Sequence, residues 1–159
     1  MKLYTERLIL RSFLQEDAKA FGEMHADPDV MRYLGGARSQ GESDRELQEI
    51  MEIEAETGLI RFALERKGSA GLVGFCGLKP AGKFIDLSYM IARDHWRQGY
   101  AFEAAKRVRE FGLIDMSITN MEAGGDAENV ASIKILEQLA FTNREELLFN
   151  NRPAVRFFD

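Results

Sequence analysis

The sequence predicts a single α+β domain spanning residues 1–159, with a mixed, mostly antiparallel sheet of about seven strands and helices on both faces. Three observations predict this class. Apolar residues recur with helical spacing early in the chain, at every second position in the middle, and in both patterns afterwards. Turn-forming residues separate these segments. The chain has 159 residues, of which 45% are hydrophobic, and this is enough for one well-filled core.

The N-terminal segments predict one strand followed by helices. Residues 5–13 suit a strand, and residues 15–25 have helical spacing that stops before Asp27-Pro28. An aspartate followed by proline is typical of a helix start, so a short second helical piece is expected there. Residues 43–46 have capping-box spacing, which predicts a longer helix that ends at Gly58.

The centre of the chain predicts a three-stranded antiparallel meander. The expected strands lie at residues 59–65, 72–78 and 84–91. Short turns at residues 67–71 and 80–82 join them. Such short connections allow consecutive strands to pair only in the antiparallel sense.

The C-terminal part predicts helix, strand, helix and two final strands. The helices are expected at about residues 101–112 and 126–139, and a strand near residues 118–123 lies between them. Two strand-like pieces flank the turn at residues 150–153. No repeat, low-complexity tract or linker interrupts this order.

The composition excludes several classes of partner. With 30% charged residues and a net charge of -5, the surface has no basic excess for nucleic acid or an anionic membrane, so neither is expected as a partner. The single cysteine, Cys76, can form neither an intrachain disulfide nor a thiolate metal cluster. No apolar run approaches the roughly 18 residues of a membrane span, and no export signal opens the chain, so a cytoplasmic location is expected.

The most informative segment, residues 95–101, joins an expected strand to an expected helix and reads His-Trp-Arg-Gln-Gly-Tyr-Ala. Small residues at a helix start let a ligand approach the backbone closely. The outward amide hydrogens and the helix dipole there can hold a diphosphate. The same pattern also serves tight packing, so the residues alone leave both interpretations open.

Four segments carry a resemblance to a known family. Residues 96–104, Trp-Arg-Gln-Gly-Tyr-Ala-Phe-Glu-Ala, resemble the acetyl-CoA pyrophosphate signature of GNAT N-acetyltransferases, in the form typical of the RimJ/RimL-like (ribosomal-protein N-terminal acetyltransferase) branch. Residues 128–141 resemble the branch's helix beside the cofactor, and residues 5–11 and 27–34 resemble its N-terminal motifs. Because the four matches follow the family order, the chain is identified as a GNAT member. The resemblance implies a GNAT-like fold and acetyl-CoA as co-substrate.

The resemblance also implies a set of cofactor contacts. Backbone groups near Met90 and Ile91 would pair with pantetheine where the sheet splays open. Asn129 would lie near the thioester or pantetheine, and Ser132 near the phosphopantetheine arm. Asparagine is also common at helix starts, so Asn129 has a structural alternative. The pyrophosphate would be held by Arg97, Gln98, Gly99, Tyr100, Ala101 and Phe102.

Three positions depart from the family pattern. Phe102 stands where the family commonly has threonine or serine, which removes a hydroxyl contact to phosphate. Ala140 replaces the usual glycine before Phe141, so the turn there is expected to be tighter or shifted. No tyrosine follows the last helix, although many members place their proton donor there. A tyrosine acid is therefore not assigned.

The candidate general base is Asp86, which shares a strand face with Ser88, although an exposed strand charge is an equal alternative. The two histidines, His25 and His95, have a suitable ordinary pKa but less suitable expected positions. Tyr33 is a candidate acceptor contact, with packing as its alternative. No cluster of side chains has metal-ligand spacing.

The leading hypothesis is an acetyltransferase that acts on a primary amine: a protein N-terminus, a lysine or a small molecule. The competing hypothesis is a catalytically reduced acetyl-CoA-binding sensor or interaction module, which Phe102 and the missing tyrosine favour. A free edge of the sheet is a candidate surface for homodimer formation.

Overall fold

The computed structural model describes residues 1–159, which form an eight-stranded sheet in the order β1-β2-β3-β4-β5-β6-β8-β7. The elements are β1 (Lys2–Tyr4), β2 (Leu8–Arg11), α1 (Ala18–Ala26), α2 (Gln40–Thr57), β3 (Arg61–Arg66), β4 (Leu72–Ala81), β5 (Phe84–Ile91), α3 (Tyr100–Glu110), β6 (Met121–Asp126), α4 (Val130–Glu137), β7 (Asn143–Phe149) and β8 (Arg152–Phe158). The predicted α+β class is confirmed. No helix combines the length and apolar character that crossing a membrane requires.

Helices cover the two faces of the sheet separately. The larger core joins α3 and α4 to one face, and a smaller core joins α1 and α2 to the other. Neighbouring strands pair antiparallel except β5 and β6, whose parallel pairing consists of Ile85 with Met121 and Asp86 with Glu122. Beyond these pairs the two strands separate. A gap therefore opens between the C-terminal ends of β5 and β6.

The strand count was predicted too low because β1 was missed. This strand has three residues, of which only Leu3 is buried, so it carries no periodic apolar signal. It pairs with β2 through Leu3 and Leu10. The sheet consequently has eight strands instead of seven.

The start of α2 was predicted four residues too late. Ser39 is the N-cap, and its hydroxyl accepts a hydrogen bond from the Glu42 backbone N–H at 3.2 Å. Ser-x-x-Glu spacing occurs twice in succession, at residues 39–42 and 43–46, and the predicted helix start is based on the second of them. Ser43 lies inside the helix, where its hydroxyl is 2.9 Å from His25 Nδ1. Gly58 ends the helix with φ 74°, as predicted.

The expected second helical piece after Asp27 does not form. Asp27 accepts a hydrogen bond from the Asp29 N–H at 2.9 Å, but residues 28–35 form successive turns. Met31 is buried, whereas Leu34 is exposed. A single i to i−4 backbone bond, from Met31 to Asp27, is too little to sustain a helix.

Ala140 is expected to be a destabilising residue, because it has φ 57° in the left-handed region. That conformation costs a non-glycine residue about 1–2 kcal/mol. Ala140→Gly removes this strain but gains freedom in the unfolded chain, so we expect about 0.5–1 kcal/mol of added stability in denaturant unfolding. As a control, Ala55→Gly in the exposed face of α2 should cost about 0.5–1 kcal/mol. A less stable Ala140→Gly protein would contradict the prediction.

Candidate active site

The gap between β5 and β6 exposes backbone groups of alternate β5 residues. The Ala92 N–H donates to the Val73 carbonyl at 2.8 Å, so even-numbered residues of this strand bond to β4. Odd-numbered residues face β6, and the Ile85 N–H accordingly donates to the Asn120 carbonyl at 3.0 Å. Tyr89 and Ile91 lie beyond the last β6 pair, so their backbone groups face the gap.

This register corrects the prediction for Met90. Its backbone bonds to β4 opposite Phe75, and its side chain is buried in the α1–α2 core. Of the two predicted residues only Ile91 faces the gap, and Tyr89 takes the place of Met90. The Ile91 carbonyl accepts a hydrogen bond from Trp96 Nε1 at 2.7 Å, so of the two Ile91 backbone groups that face the gap only the N–H is free. The tryptophan thereby fixes the following loop to the end of β5.

The loop before α3 holds a run of unpaired amides. Arg97 (φ 60°) and Gly99 (φ 83°) are both left-handed, and Gly99 is the N-cap of α3 without a side chain to cap it. The backbone N–H groups of residues 97–102 donate to no protein acceptor. The structure thus brings the predicted pyrophosphate residues together around donors that a helix start offers to an anion.

A contact from the N-terminal strands supports this loop from outside. The Glu103 carboxylate accepts hydrogen bonds from Thr5 Oγ1 at 2.5 Å and from Arg7 Nε at 2.7 Å. Arg7 Nη1 donates to the Gln98 carbonyl at 2.7 Å, and the guanidinium lies 4.5 Å from the Tyr100 ring centroid. Burial raises the pKa of Glu103, but the hydrogen bonds together lower it by more, so its net shift is downward.

The start of α4 lies across the gap from β5. Asn129 is the N-cap, and its Oδ1 accepts a hydrogen bond from the Ser132 N–H at 3.3 Å, so the residue has the structural role that asparagine commonly has at a helix start. Its Nδ2 donates to no protein atom. Ser132 Oγ lies 2.9 Å from the Tyr89 hydroxyl, which is also 3.1 Å from the Ser132 carbonyl.

Tyr89 was missed by sequence reasoning as a site residue. Its side chain crosses from β5 to α4 and connects the two sides of the gap. The two-residue strand period puts Tyr89 in phase with Leu87 and Ile91, and this signal was available in the sequence. Burial raises the pKa of the Tyr89 hydroxyl, so it stays protonated at neutral pH.

Asp86 lies at the vertex of the gap, on the sheet face that α1 and α2 cover. It stands in register between Lys79 on β4 and Glu122 on β6, and its half-buried carboxylate accepts no protein hydrogen bond. Burial raises its pKa; Lys79 opposes the increase, Glu122 adds to it, and Arg61 opposes it. The carboxylate is therefore a stronger base than an exposed aspartate.

A buried polar cluster supports the same face from α1 and α2. Glu46 Oε1 accepts a hydrogen bond from Arg61 Nη2 at 3.2 Å, and Glu46 Oε2 lies 3.6 Å from His25 Nε2. His25 is fully buried, and burial lowers its pKa. Its imidazole is enclosed by the protein, which argues against a histidine base at this position. His95 packs edge-on against Tyr100, outside the gap.

Tyr33 lies in the turns between α1 and α2. It is half-buried, its ring is 5.2 Å from the Arg32 guanidinium carbon, and its hydroxyl has no protein partner. Arg93, just after β5, forms ion pairs with Asp27 at 3.1 Å and Asp29 at 2.9 Å. These pairs hold the segment before Tyr33 beside the end of β5. The contact of Tyr33 with an acceptor stays a prediction.

Comparisons with known proteins identify the family and the fold. The family described as Acetyltransferase (GNAT) domain matches residues 7–142. The uncharacterized N-acetyltransferase p20 of Bacillus licheniformis is 31% identical over 157 residues, which cover 96% of this chain and 88% of the relative. A GNAT-family acetyltransferase structure from Bacillus anthracis has a TM-score of 0.84 at 21% identity, covering 99% and 96% of the two chains. RimL, a ribosomal L7/L12 alpha-N-protein acetyltransferase in complex with coenzyme A, has a TM-score of 0.84 at 13% identity, covering 100% and 97%.

Proposed function

The chain belongs to the GNAT family of N-acetyltransferases, and from this premise we propose that it transfers the acetyl group of acetyl-CoA directly to a primary amine. The observation that carries the proposal is the run of unpaired backbone amides at residues 97–102, next to the gap between β5 and β6. A site for an anion therefore adjoins a site for an extended chain. These two sites match the diphosphate and the pantetheine arm of acetyl-CoA, the acetyl donor.

The chain's own residues fit this donor. Acetyl-CoA supplies an acetyl group that is already activated as a thioester. The six amides of residues 97–102 would hold the diphosphate, and because Phe102 has no hydroxyl, this residue would contribute through its backbone N–H alone. The free backbone groups of Tyr89 and Ile91 would pair with pantetheine in the manner of a strand. Asn129 Nδ2 and Ser132 lie on the opposite side of the gap, where they would border the same arm.

On the acceptor side, Asp86 is the proposed general base. Its carboxylate takes the proton from the amine, directly or through one water molecule, and because burial raises its pKa it is a stronger base than an exposed aspartate. One of the two β5 amides that face the gap, that of Tyr89 or of Ile91, would donate to the acetyl oxygen as negative charge develops on it, and the remaining free groups would pair with pantetheine. Holding both substrates in one cleft supplies much of the remaining rate enhancement. As the nitrogen bonds to the acetyl carbon, the carbon–sulfur bond breaks and CoA leaves as its thiolate, which takes a proton from water. The Tyr89 hydroxyl, whose pKa burial raises, donates its proton to a hydrogen bond with the Ser132 carbonyl and does not titrate.

Among primary amines, we propose a protein N-terminus ahead of a lysine side chain or a small-molecule amine. Two observations support this order of preference: the chain shares its fold with RimL, and four of its segments resemble the motifs of the RimJ/RimL-like branch. Because one fold serves many acceptors, this ranking rests on analogy. The competing function, an acetyl-CoA sensor, is favoured by Phe102 and by the lack of a tyrosine after α4.

A thiol-release assay over a panel of N-terminal peptides, lysine peptides, polyamines, amino acids and aminoglycosides tests the proposal. We expect turnover with one class of amine, at a rate that depends on acetyl-CoA. Calorimetric binding of acetyl-CoA is measured on the same sample. Binding without turnover on any amine would support the sensor instead, and absence of binding would refute both functions.

A further inference from the structure

Arg7 contacts the loop before α3 through both its side chain and its backbone. It lies in the turn between β1 and β2, and its guanidinium reaches the Gln98 carbonyl, the Glu103 carboxylate and the Tyr100 ring. The Arg7 backbone N–H also donates to Glu103 at 2.8 Å. Both ends of the residue therefore fix the same short stretch of chain.

The contact with Gln98 determines which way the next amide points. In a trans peptide the carbonyl and the following N–H point in opposite directions. Arg7 Nη1 holds the Gln98 carbonyl on the outer side at 2.7 Å. The Gly99 N–H is thereby turned to the other side of the loop. A loop with two left-handed residues, Arg97 and Gly99, needs such support because that conformation is unfavourable for Arg97.

The contact with Glu103 removes an obstacle to an anion. Glu103 lies in the first turn of α3, where a free carboxylate would repel a diphosphate. Thr5 Oγ1, the Arg7 N–H and Arg7 Nε all donate to this carboxylate. Its charge is thus compensated, and it is held towards β2 and away from the unpaired amides.

We propose that Arg7 is a positioning residue for the donor diphosphate: it orients the Gly99 amide through Gln98 and compensates Glu103, without itself binding the donor. This inference rests on the proposed function, because the diphosphate is that of acetyl-CoA. It predicts that Arg7 matters only for donors that carry the diphosphate.

The test compares acetyl-CoA with acetylpantetheine, which has the same thioester but no diphosphate. Arg7→Ala is expected to raise the Kd of acetyl-CoA about tenfold, the loss of one or two charge-assisted contacts. The binding of acetylpantetheine, measured by competition, should change less than about twofold by the same argument. Arg7→Lys keeps the charge but not the planar fork, so it should remain weakened for acetyl-CoA.

Arg11→Ala is the matched control. Arg11 lies on β2 and forms ion pairs with Asp17 and Glu65, both at 2.8 Å, away from the loop. It should lower the unfolding temperature without changing the ratio of the two donor affinities. Equal loss for both donors in Arg7→Ala, an unchanged Kd for acetyl-CoA, full rescue by lysine, or the same ratio change in Arg11→Ala would each overturn the inference. If the unaltered protein binds no acetyl-CoA, the proposed function itself fails.

Discussion

Gly99→Glu should weaken acetyl-CoA binding by roughly 100-fold or more, since a like charge placed at an anion site costs several kcal/mol. Gly99 has φ 83°, so any side chain there is strained. A Cβ on this residue would lie 3.3 Å from Arg7 Nη2, and the new carboxylate would stand at the N-terminus of α3. It would compete for the unpaired amides and repel the diphosphate. Calorimetric titration with acetyl-CoA measures the loss.

Gly82→Glu is the control for backbone strain and added charge. Gly82 also has positive φ, 61°, and a Cβ added to it would meet no atom within 4 Å. It occupies the turn between β4 and β5, at the far end of β5 from Ile91. This variant should lose a similar amount of stability but bind acetyl-CoA normally. Normal binding by Gly99→Glu, or an equal loss of acetyl-CoA affinity in both variants, would contradict the placement of the diphosphate at this loop.

Asp86→Asn should lower kcat by about 100- to 10,000-fold, the range for loss of a general base. The donor Kd should stay unchanged, because Asp86 lies on the α1–α2 face and not on the loop. The same substitution should make the fold more stable at neutral pH, since it removes a charge whose burial is unfavourable. A loss of activity together with a gain of stability distinguishes a base from a structural residue.

The pH dependence follows from the direction of the Asp86 shift. Its pKa in the folded protein is above the ordinary value of 3.8, so the folded state binds more protons between these two values. Stability due to this group is therefore full below pH 3.8 and is lost as the pH rises through the folded pKa. Activity should change in the opposite sense, falling as the pH drops and Asp86 is protonated. Asp86→Asn should abolish the part of the pH dependence of stability that this carboxylate causes.

Asp115→Asn is the matched control for Asp86. Asp115 is exposed at the end of the turn that follows α3, and its carboxylate accepts no hydrogen bond. Its substitution should change neither kcat nor the pH profile. Another base would have to be found in either of two cases. In the first, Asp86→Asn retains full activity with every amine that the protein acetylates; in the second, the fall of its activity at acidic pH matches that of the unaltered protein.

The loop could be predicted from the sequence because its residues are contiguous. A glycine at a helix start and the flanking small residues are visible as a local motif, and residues 97–102 indeed meet there. The register of β5 could not be predicted in the same way. Whether Met90 or Tyr89 faces the gap depends on how β5 pairs with β4, and each single-residue shift reverses the answer.

Long-range contacts are the other feature of the site that could not be predicted from the sequence. Arg7 and Glu103 are separated by 96 positions, so no local pattern connects them. The bond between Tyr89 and Ser132 spans 43 positions and likewise appears only in the fold. The error at the start of α2 is different in kind. Two equivalent capping boxes were present, at Ser39 and Ser43, and only the packing of Ser43 against His25 distinguishes them.

The most direct test of the proposed function is a titration of the isotope-labelled protein with acetyl-CoA, followed through its backbone amide NMR signals. We predict saturable binding, with the largest shifts at residues 97–102 and at Tyr89 and Ile91 across the gap. Acetylpantetheine should shift the two strand residues but not the loop. Absence of saturation, or shifts that leave both the loop and the gap unchanged, would contradict the assignment of this chain as an acetyl-CoA-dependent enzyme.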